Sequence, residues 1–176
     1  TQKSVIVGLP IRKEILDIKK NKNNNILYIT GGKQGSHIIN SVIFKCLPDL
    51  LKKYTVIHQT GSNSIYKDFD TAKNINKPNY FPVEYTNSQT TAKNLSNASV
   101  VISRSGAHII AELLYLQKPS VLIPIPWGSH NEQQVNAEFL TSQNLAVILP
   151  QDQLTPENLL NAITQAENLK PVKNNL

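Results

Sequence analysis

The sequence predicts an α/β fold, a parallel sheet with helices on both faces. Two observations carry this. Short, continuous apolar runs recur along the chain, and between them lie stretches whose apolar residues repeat at three- and four-residue spacing. A strand covered on both faces has no polar side to alternate with, so unbroken apolar runs mark a buried parallel sheet. The helical stretches between them supply the crossovers that parallel strands need.

Val5-Ile6-Val7-Gly8-Leu9-Pro10 comes first, and the polar stretch from Lys19 to Asn25 reads as a loop. Ile26-Leu27-Tyr28-Ile29-Thr30, closed by Gly31-Gly32, is a buried strand. From Ser36, the residues Ile38, Ile39, Val42, Ile43, Leu47, Leu50 and Leu51 mark a helix. Strands follow at Thr55-Val56-Ile57-His58 and near Tyr80-Phe81-Pro82-Val83, then a helix over 86–95. Val100-Val101-Ile102-Ser103 is a strand, and Ile109, Ile110, Leu113 and Leu114 mark the next helix. Val121-Leu122-Ile123-Pro124 is a strand, 131–140 a helix and 146–149 a strand. A last helix covers 155–166, with Thr155 as N-cap before Pro156. In such sheets ligands bind beyond the carboxyl ends of the strands, so the chemistry is sought in the turns that follow them.

Composition narrows the classes. In 176 residues, 40% are hydrophobic and 17% charged, which suits one globular domain and excludes wholesale disorder, collagen and coiled coil. No apolar run approaches the ~20 residues of a membrane span, and the start has no signal-peptide pattern. The chain contains no Met, so it is expected to be a piece of a longer polypeptide. Cys46 is the single cysteine, which rules out an internal disulfide and a multi-thiol metal site. Its apolar helical face makes it a small core residue.

The net charge of +6 is uneven: residues 1–93 carry 14 basic and 6 acidic side chains, residues 94–176 carry 4 and 6. Sixteen of the 18 basic residues are scattered lysines, with little aromatic interleaving. Nucleic-acid readers rely on arginine and exposed aromatics, so nucleic acid is not expected as a partner. A weak attraction to an anionic membrane surface fits better.

Three turns could carry chemistry. Thr30-Gly31-Gly32-Lys33-Gln34-Gly35-Ser36 joins a strand to a helix, where close backbone approach, free N–H groups and the helix dipole suit an anion. It matches neither the dinucleotide fingerprint nor a P-loop, and an ordinary tight turn is the alternative. In Ser103-Arg104-Ser105-Gly106-Ala107, Ser105 can cap, and the amides of Gly106, Ala107 and His108 suit a phosphate. Glu112 follows two turns on, where a carboxylate can accept from both hydroxyls of a ribose. The alternative there is a capped helix with a solvated Glu. The third turn runs from Pro124 through Trp127 to Asn136, and its Glu132, Gln133, Gln134 and Asn136 suit sugar hydroxyls, since amides both donate and accept. A polar, solvated first turn is the alternative. The four histidines, His37, His58, His108 and His130, lack metal-ligand spacing and read as chance and core packing. No nucleophile elbow is present.

These pieces resemble MurG-type glycosyltransferases. Gly31-Gly32-Lys33-Gln34-Gly35-Ser36, His58-Gln59-Thr60-Gly61, Ser103-Arg104-Ser105-Gly106-Ala107 with Glu112, and Gln133-x-x-Asn136-Ala137 occur in that family's order and spacing, after the lead-in Gly8-Leu9-Pro10-Ile11-Arg12. The resemblance implies one half of a GT-B glycosyltransferase: a Rossmann-like, C-terminal nucleotide-sugar-binding domain over 25–166. It further implies an interdomain connector over 1–24, a tail over 167–176, and an N-terminal acceptor domain outside this chain. The activity implied is inverting transfer of N-acetylglucosamine from UDP-N-acetylglucosamine to a lipid-linked muramyl-peptide, forming lipid II. That places the protein in peptidoglycan biosynthesis, cell shape and cell division. Its implied place is the cytoplasm, peripheral on the inner face of the bacterial cell membrane.

By position, the resemblance puts Gln34, Gly35, Ser36, Ser105, Gly106, Ala107 and His108 around the donor phosphates, with Arg12 near them. Thr86, with Tyr85 beside it, would meet the uracil edge, and Glu112 the ribose. Gln133 and Gln134 would bind the sugar, and Asn136 would support that turn. No cofactor and no metal are implied, and the general base is expected in the other half. Lys33 stands where the family usually has Ser, Leu9 where it has Asn, and Asn87-Ser88 where an acidic pair is frequent. The competing readings are another lipid-linked transferase of the same fold, a sugar-nucleotide epimerase and a non-catalytic sugar-nucleotide-binding module.

Overall fold

The computed structural model describes residues 11–19, 25–62, 65–127 and 131–172. The opening stretch Val5–Pro10, most of the polar loop before Asn25, His130 and the end of the tail lie outside the described residues. Six strands form one sheet: β1 (Ile26–Thr30), β2 (Thr55–Gln59), β3 (Tyr80–Val83), β4 (Val100–Ser103), β5 (Ser120–Leu122) and β6 (Ala146–Ile148). Every pairing is parallel, and the spatial order is β3-β2-β1-β4-β5-β6.

Helices cover both faces, as continuous apolar strands require. α1 (Lys13–Leu16), α4 (Ser88–Asn97), α5 (Ala107–Leu116) and α6 (Glu132–Ser142) pack with Tyr28, Val101 and Leu122 on one face. α2 (His37–Leu50) and α7 (Pro156–Glu167) pack with Leu27, Ile29, Val100, Ile102 and Val121 on the other. Successive strand residues thus enter different cores, and neither face tolerates a polar alternation. Cys46 is buried in the α2 core, where burial pushes its thiol up to about 12.

Local signals set the element ends. Thr155 accepts from the Asn158 amide at 3.2 Å, and Pro156 opens α7, where its missing N–H is no loss. Asn87 caps α4 by accepting from the Thr90 amide at 2.8 Å. Two helices were not expected: the four-residue α1, and α3 (Asp68–Lys73), which follows the left-handed Lys67 at φ 51°. Segments this short hold too few turns to show an apolar period.

The strand order reverses between β1 and β4. From β1 the chain winds outward through β2 and β3, and from β4 it winds the other way through β5 and β6. Right-handed crossovers in opposite directions place their helices on opposite faces, which is why α2 and α5 lie on different sides. The turns after β1 and β4 emerge side by side, with Thr30 in register with Ser103.

One polar cluster runs through the core behind the first turn. His58 is 0% exposed. Its Nε2 lies 3.0 Å from Asn40 Oδ1, an oxygen that only accepts, so Nε2 carries the proton. Nδ1 then accepts from the Tyr80 hydroxyl at 3.0 Å. Asn40 Nδ2 donates to Thr60 O at 2.9 Å and to Asp68 Oδ2 at 2.7 Å, and Asp68 Oδ1 lies 2.9 Å from His37 Nδ1. Burial lowers the His58 pKa from 6.5 to about 3, so the folded protein keeps this ring neutral.

This predicts acid sensitivity. Between pH 6.5 and about 3 the unfolded chain binds a proton that folded His58 refuses, so stability falls as pH falls. The residue contributes a slope of at most about 1.4 kcal/mol per pH unit. Urea unfolding of wild type and His58→Gln over that range should show a shallower pH slope in the variant.

Candidate functional site at the strand-order reversal

The first turn is built by two loops in backbone contact. A Cβ on Gly35, at φ +78°, would lie 1.8 Å from Thr60 O, and one on Gly61, at φ +86°, would lie 2.1 Å from Gly35 N. The loop after β2 therefore presses directly on the loop after β1, and both glycines are needed for contact and conformation alike. Gln59, buried at the end of β2, ties the layers: its Nε2 donates to Gly32 O at 3.1 Å. Its Oε1 accepts from the Tyr28 hydroxyl at 2.9 Å and from Thr86 Oγ1 at 2.7 Å. Burial raises the Tyr28 pKa, so that hydroxyl stays a donor. Thr86 is buried behind this turn, while Tyr85 is exposed with Lys33 Nζ 5.9 Å from its ring centre.

Ser36 is the N-cap of α2 and makes no side-chain capping bond. The Asn40 amide is bonded back to Ser36 O at 2.9 Å, so the amides of His37, Ile38 and Ile39 precede the helical ladder. Gln34 is exposed at the turn, and His37 stacks on Tyr66 at 3.8 Å between ring centres.

The second turn is held from α6. Here the structure corrects one expectation: the N-cap of α5 is Gly106, not Ser105. Ser105 Oγ donates instead to Gln133 O at 2.8 Å, because the residue is buried against the start of α6. Gln133 Oε1 accepts from the amides of Ile125 at 3.1 Å and Ser105 at 3.4 Å, and Asn136 Nδ2 donates to Ser105 O at 3.1 Å. Gln133 is thereby fixed with its Nε2 donors turned away from those amides. Gln134 reaches along its own helix to Glu138 at 2.9 Å. His108 is exposed on the first turn of α5.

Gly106 differs from the packed glycines. Its φ of −66° and ψ of 154° are open to any residue, and a Cβ there would meet nothing within 4 Å. Neither backbone nor packing asks for glycine, so the open space beside it suits close approach of a ligand to the Ala107 and His108 amides.

Both arginines of the chain stand at this crevice. Arg12, in the segment leading into α1, pairs with Glu112 rather than standing alone. Its Nε donates to Oε1 at 2.5 Å and its Nη2 to Oε2 at 2.6 Å. The hydrogen bond to Glu112 raises the Arg12 pKa, and Glu112 is only 2% exposed beneath it. Arg104 reaches from the second turn to Ser36 Oγ on the first, at 2.8 Å. Sequence reasoning singled out neither Arg104 nor Gln59 as a site residue, since nothing in their spacing shows what they reach. A cavity of about 470 Å³ adjoins the turns, lined by Ile38, Trp127, Gln134, Gln151 and Asp152 among others. Among the described residues no cluster of three or more His, Cys, Asp or Glu could hold a metal ion, and no helix is long and apolar enough to cross a membrane.

Comparison with known proteins places this geometry. A UDP-N-acetylglucosamine–N-acetylmuramyl-(pentapeptide) pyrophosphoryl-undecaprenol N-acetylglucosamine transferase of Trichodesmium erythraeum is 35% identical, over 90% of this chain and 42% of its own length. The protein of that name from Clostridium botulinum strain Kyoto is 34% identical, over 99% of this chain and 51% of its own. The chain thus spans about half the length of the curated relatives it matches. Among solved structures, Acinetobacter baumannii MurG aligns with a TM-score of 0.68 at 24% identity, over 89% of this chain and 45% of that one. UDP-GlcNAc 2-epimerase from Methanocaldococcus jannaschii aligns with a TM-score of 0.58 at 13% identity, over 86% and 41%. These two likenesses show the fold, the GT-B half-sheet expected above. The family model of the glycosyltransferase family 28 C-terminal domain matches residues 26–175, from the first residue of β1 to beyond α7, and the chain belongs to that family.

Proposed function

We propose that this chain is the donor-binding half of an inverting glycosyltransferase. The donor is UDP-N-acetylglucosamine, and the acceptor is the lipid-linked muramyl-peptide whose glycosylation forms lipid II in peptidoglycan synthesis. One observation carries the reading: two helices of ten residues or more, α2 and α5, start side by side where the strand order reverses, with open space at Gly106 between their amides and solvent. Such a pair of N-termini suits a diphosphate. The names of the curated relatives support the sugar donor and the lipid acceptor.

The residues divide by chemistry. Gln34, Gly35 and Ser36 meet one phosphate, and Gly106, Ala107 and His108 the other, with Ser105 held behind them. The leaving group is UDP, so negative charge grows on the pyrophosphate as the glycosidic bond breaks, and fixed amides stabilise it without reorganising. Thr86 offers its backbone to the uracil edge, and Tyr85 flanks it. A carboxylate has about four lone-pair positions. Arg12 uses one on each Glu112 oxygen, which leaves one on each for the ribose hydroxyls. Because Glu112 is covered, the ribose reaches it as Arg12 swings toward the phosphates. Gln133 turns its Nε2 to the sugar, with Gln134 on the wall of the adjoining cavity. The acceptor, the general base and the main membrane contact belong to sequence outside this chain. The implied location is the inner face of the bacterial membrane, with the Lys-rich first half adding a weak attraction to anionic lipid.

Isothermal titration of the chain with UDP, UDP-N-acetylglucosamine and ADP tests the reading. Weak, saturable heat with both uridine ligands and less with ADP is expected, with no glycosyl transfer by the chain alone. A folded sample giving no heat with either uridine ligand refutes it. Gly106→Ala should weaken UDP at least about ten-fold while the melting temperature stays put, because its methyl group fills only the ligand's space. Glu112→Ala should cost about 1–3 kcal/mol of UDP and uridine binding alike. Arg12→Ala should weaken UDP but spare uridine.

A further inference from the structure

We infer that Arg104 is a positioning residue of the diphosphate site, locking the two turns together and aiming the Ser36 hydroxyl into the crevice. The inference rests on the donor-binding reading above and deepens it.

The Arg104 guanidinium joins four segments. Nη1 donates to Ile123 O at 3.0 Å and Pro124 O at 3.4 Å, beyond the end of β5. Nη2 donates to Ser36 Oγ at 2.8 Å and to Gln151 Oε1 at 2.8 Å. The side chain therefore spans the reversal point, from the β4 turn to the N-cap of α2 and to the 3-10 turn Gln151–Gln153. A fork of donors in fixed geometry fits this arrangement, and an ammonium does not.

The partners are all neutral oxygens. Every salt bridge among the described residues involves some other cation. Arg104 is a half-buried charge held by dipoles alone, and burial lowers its pKa. A charge without a counter-ion in such a setting is costly. An anion arriving between the two turns supplies a counter-charge to Arg104, as a diphosphate does.

Ser36 gives the second line. Its oxygen accepts from Arg104 and donates to nothing among the described residues. A hydroxyl that accepts from a cation is polarised into a better donor. With the oxygen's position fixed by Nη2, its own hydrogen is left for the ligand. Arg104 thus acts on the phosphate through Ser36 rather than by touching it.

The experiment is a double-mutant cycle read with two ligands. UDP and uridine are titrated into wild type, Arg104→Gln, Ser36→Ala and the double variant. Expected are a roughly ten-fold loss of UDP affinity in Arg104→Gln, an unchanged affinity for uridine, and a double variant no weaker than Arg104→Gln alone. Arg104→Lys keeps the charge without the fork, so it should keep the fold and still lose UDP several-fold. It carries the same test should Arg104→Gln not fold. Equal losses for UDP and uridine, or losses at Arg104 and Ser36 that simply add, overturn the inference and leave the donor-binding reading standing. A folded wild type that does not bind UDP overturns both.

Discussion

The reversal of strand order between β1 and β4 is the constraint on which everything else in this chain depends. A parallel sheet wound in one direction would put successive helix starts on the same face, each turn sheltered by its neighbour. Reversing the winding puts α2 and α5 on opposite faces and leaves the turns before them adjacent, with no crossover between. The crevice is thus a property of topology before it is a property of any side chain. Side chains then decide what enters it. Gly35 and Gly61 bring one loop hard against another, Gly106 leaves room, and the free amides of two helices define the sign of charge the space will accept.

A turn can present its amides to a ligand only if it does not relax around them, and the polar residues in the core supply that rigidity. Gln59 holds Gly32 O from below while receiving two hydroxyls, so its orientation has no alternative that satisfies every partner. Asn40, one turn into α2, fixes Thr60 O and is itself fixed by His58 and Asp68. A Leu at either position would bury more apolar area and remove the tie. Buried polar groups lower the net gain from burial, yet when fully satisfied they specify one arrangement. No buried side-chain polar atom among the described residues lacks a partner, so the tie is made without an orphaned group.

How much of this was legible in the sequence follows from the range of each interaction. Strands β1, β2 and β4 were readable because burial on both faces forces unbroken apolar runs, and α7 because Thr155 and Pro156 act on their own neighbours. The Gly-rich turns were readable as strand-to-helix turns because glycine's backbone freedom is a local property. α3 was not, since six residues with only Phe69 and Ala72 apolar are too few to show a period. Ser105 was misjudged as a cap because its hydroxyl is claimed by Gln133, 28 positions on. The Arg12–Glu112 and Arg104–Ser36 pairs, 100 and 68 residues apart, exist only once the sheet has formed, so spacing holds no trace of them.

Charge placement separates the surface from the site. Sixteen lysines are scattered along the chain, and eleven of the twelve described ones are exposed, where water and salt weaken each of them within about 10 Å. The two arginines are placed otherwise: each is partly buried, each is bound through two nitrogens, and each joins elements from different parts of the chain. One has a carboxylate partner, Glu112. The other has only neutral partners. One cation is thus paired over a buried carboxylate, and the other is held between two turns by neutral oxygens. The net charge of the chain, by contrast, could be altered at the eleven exposed lysines among the described residues without touching either arginine.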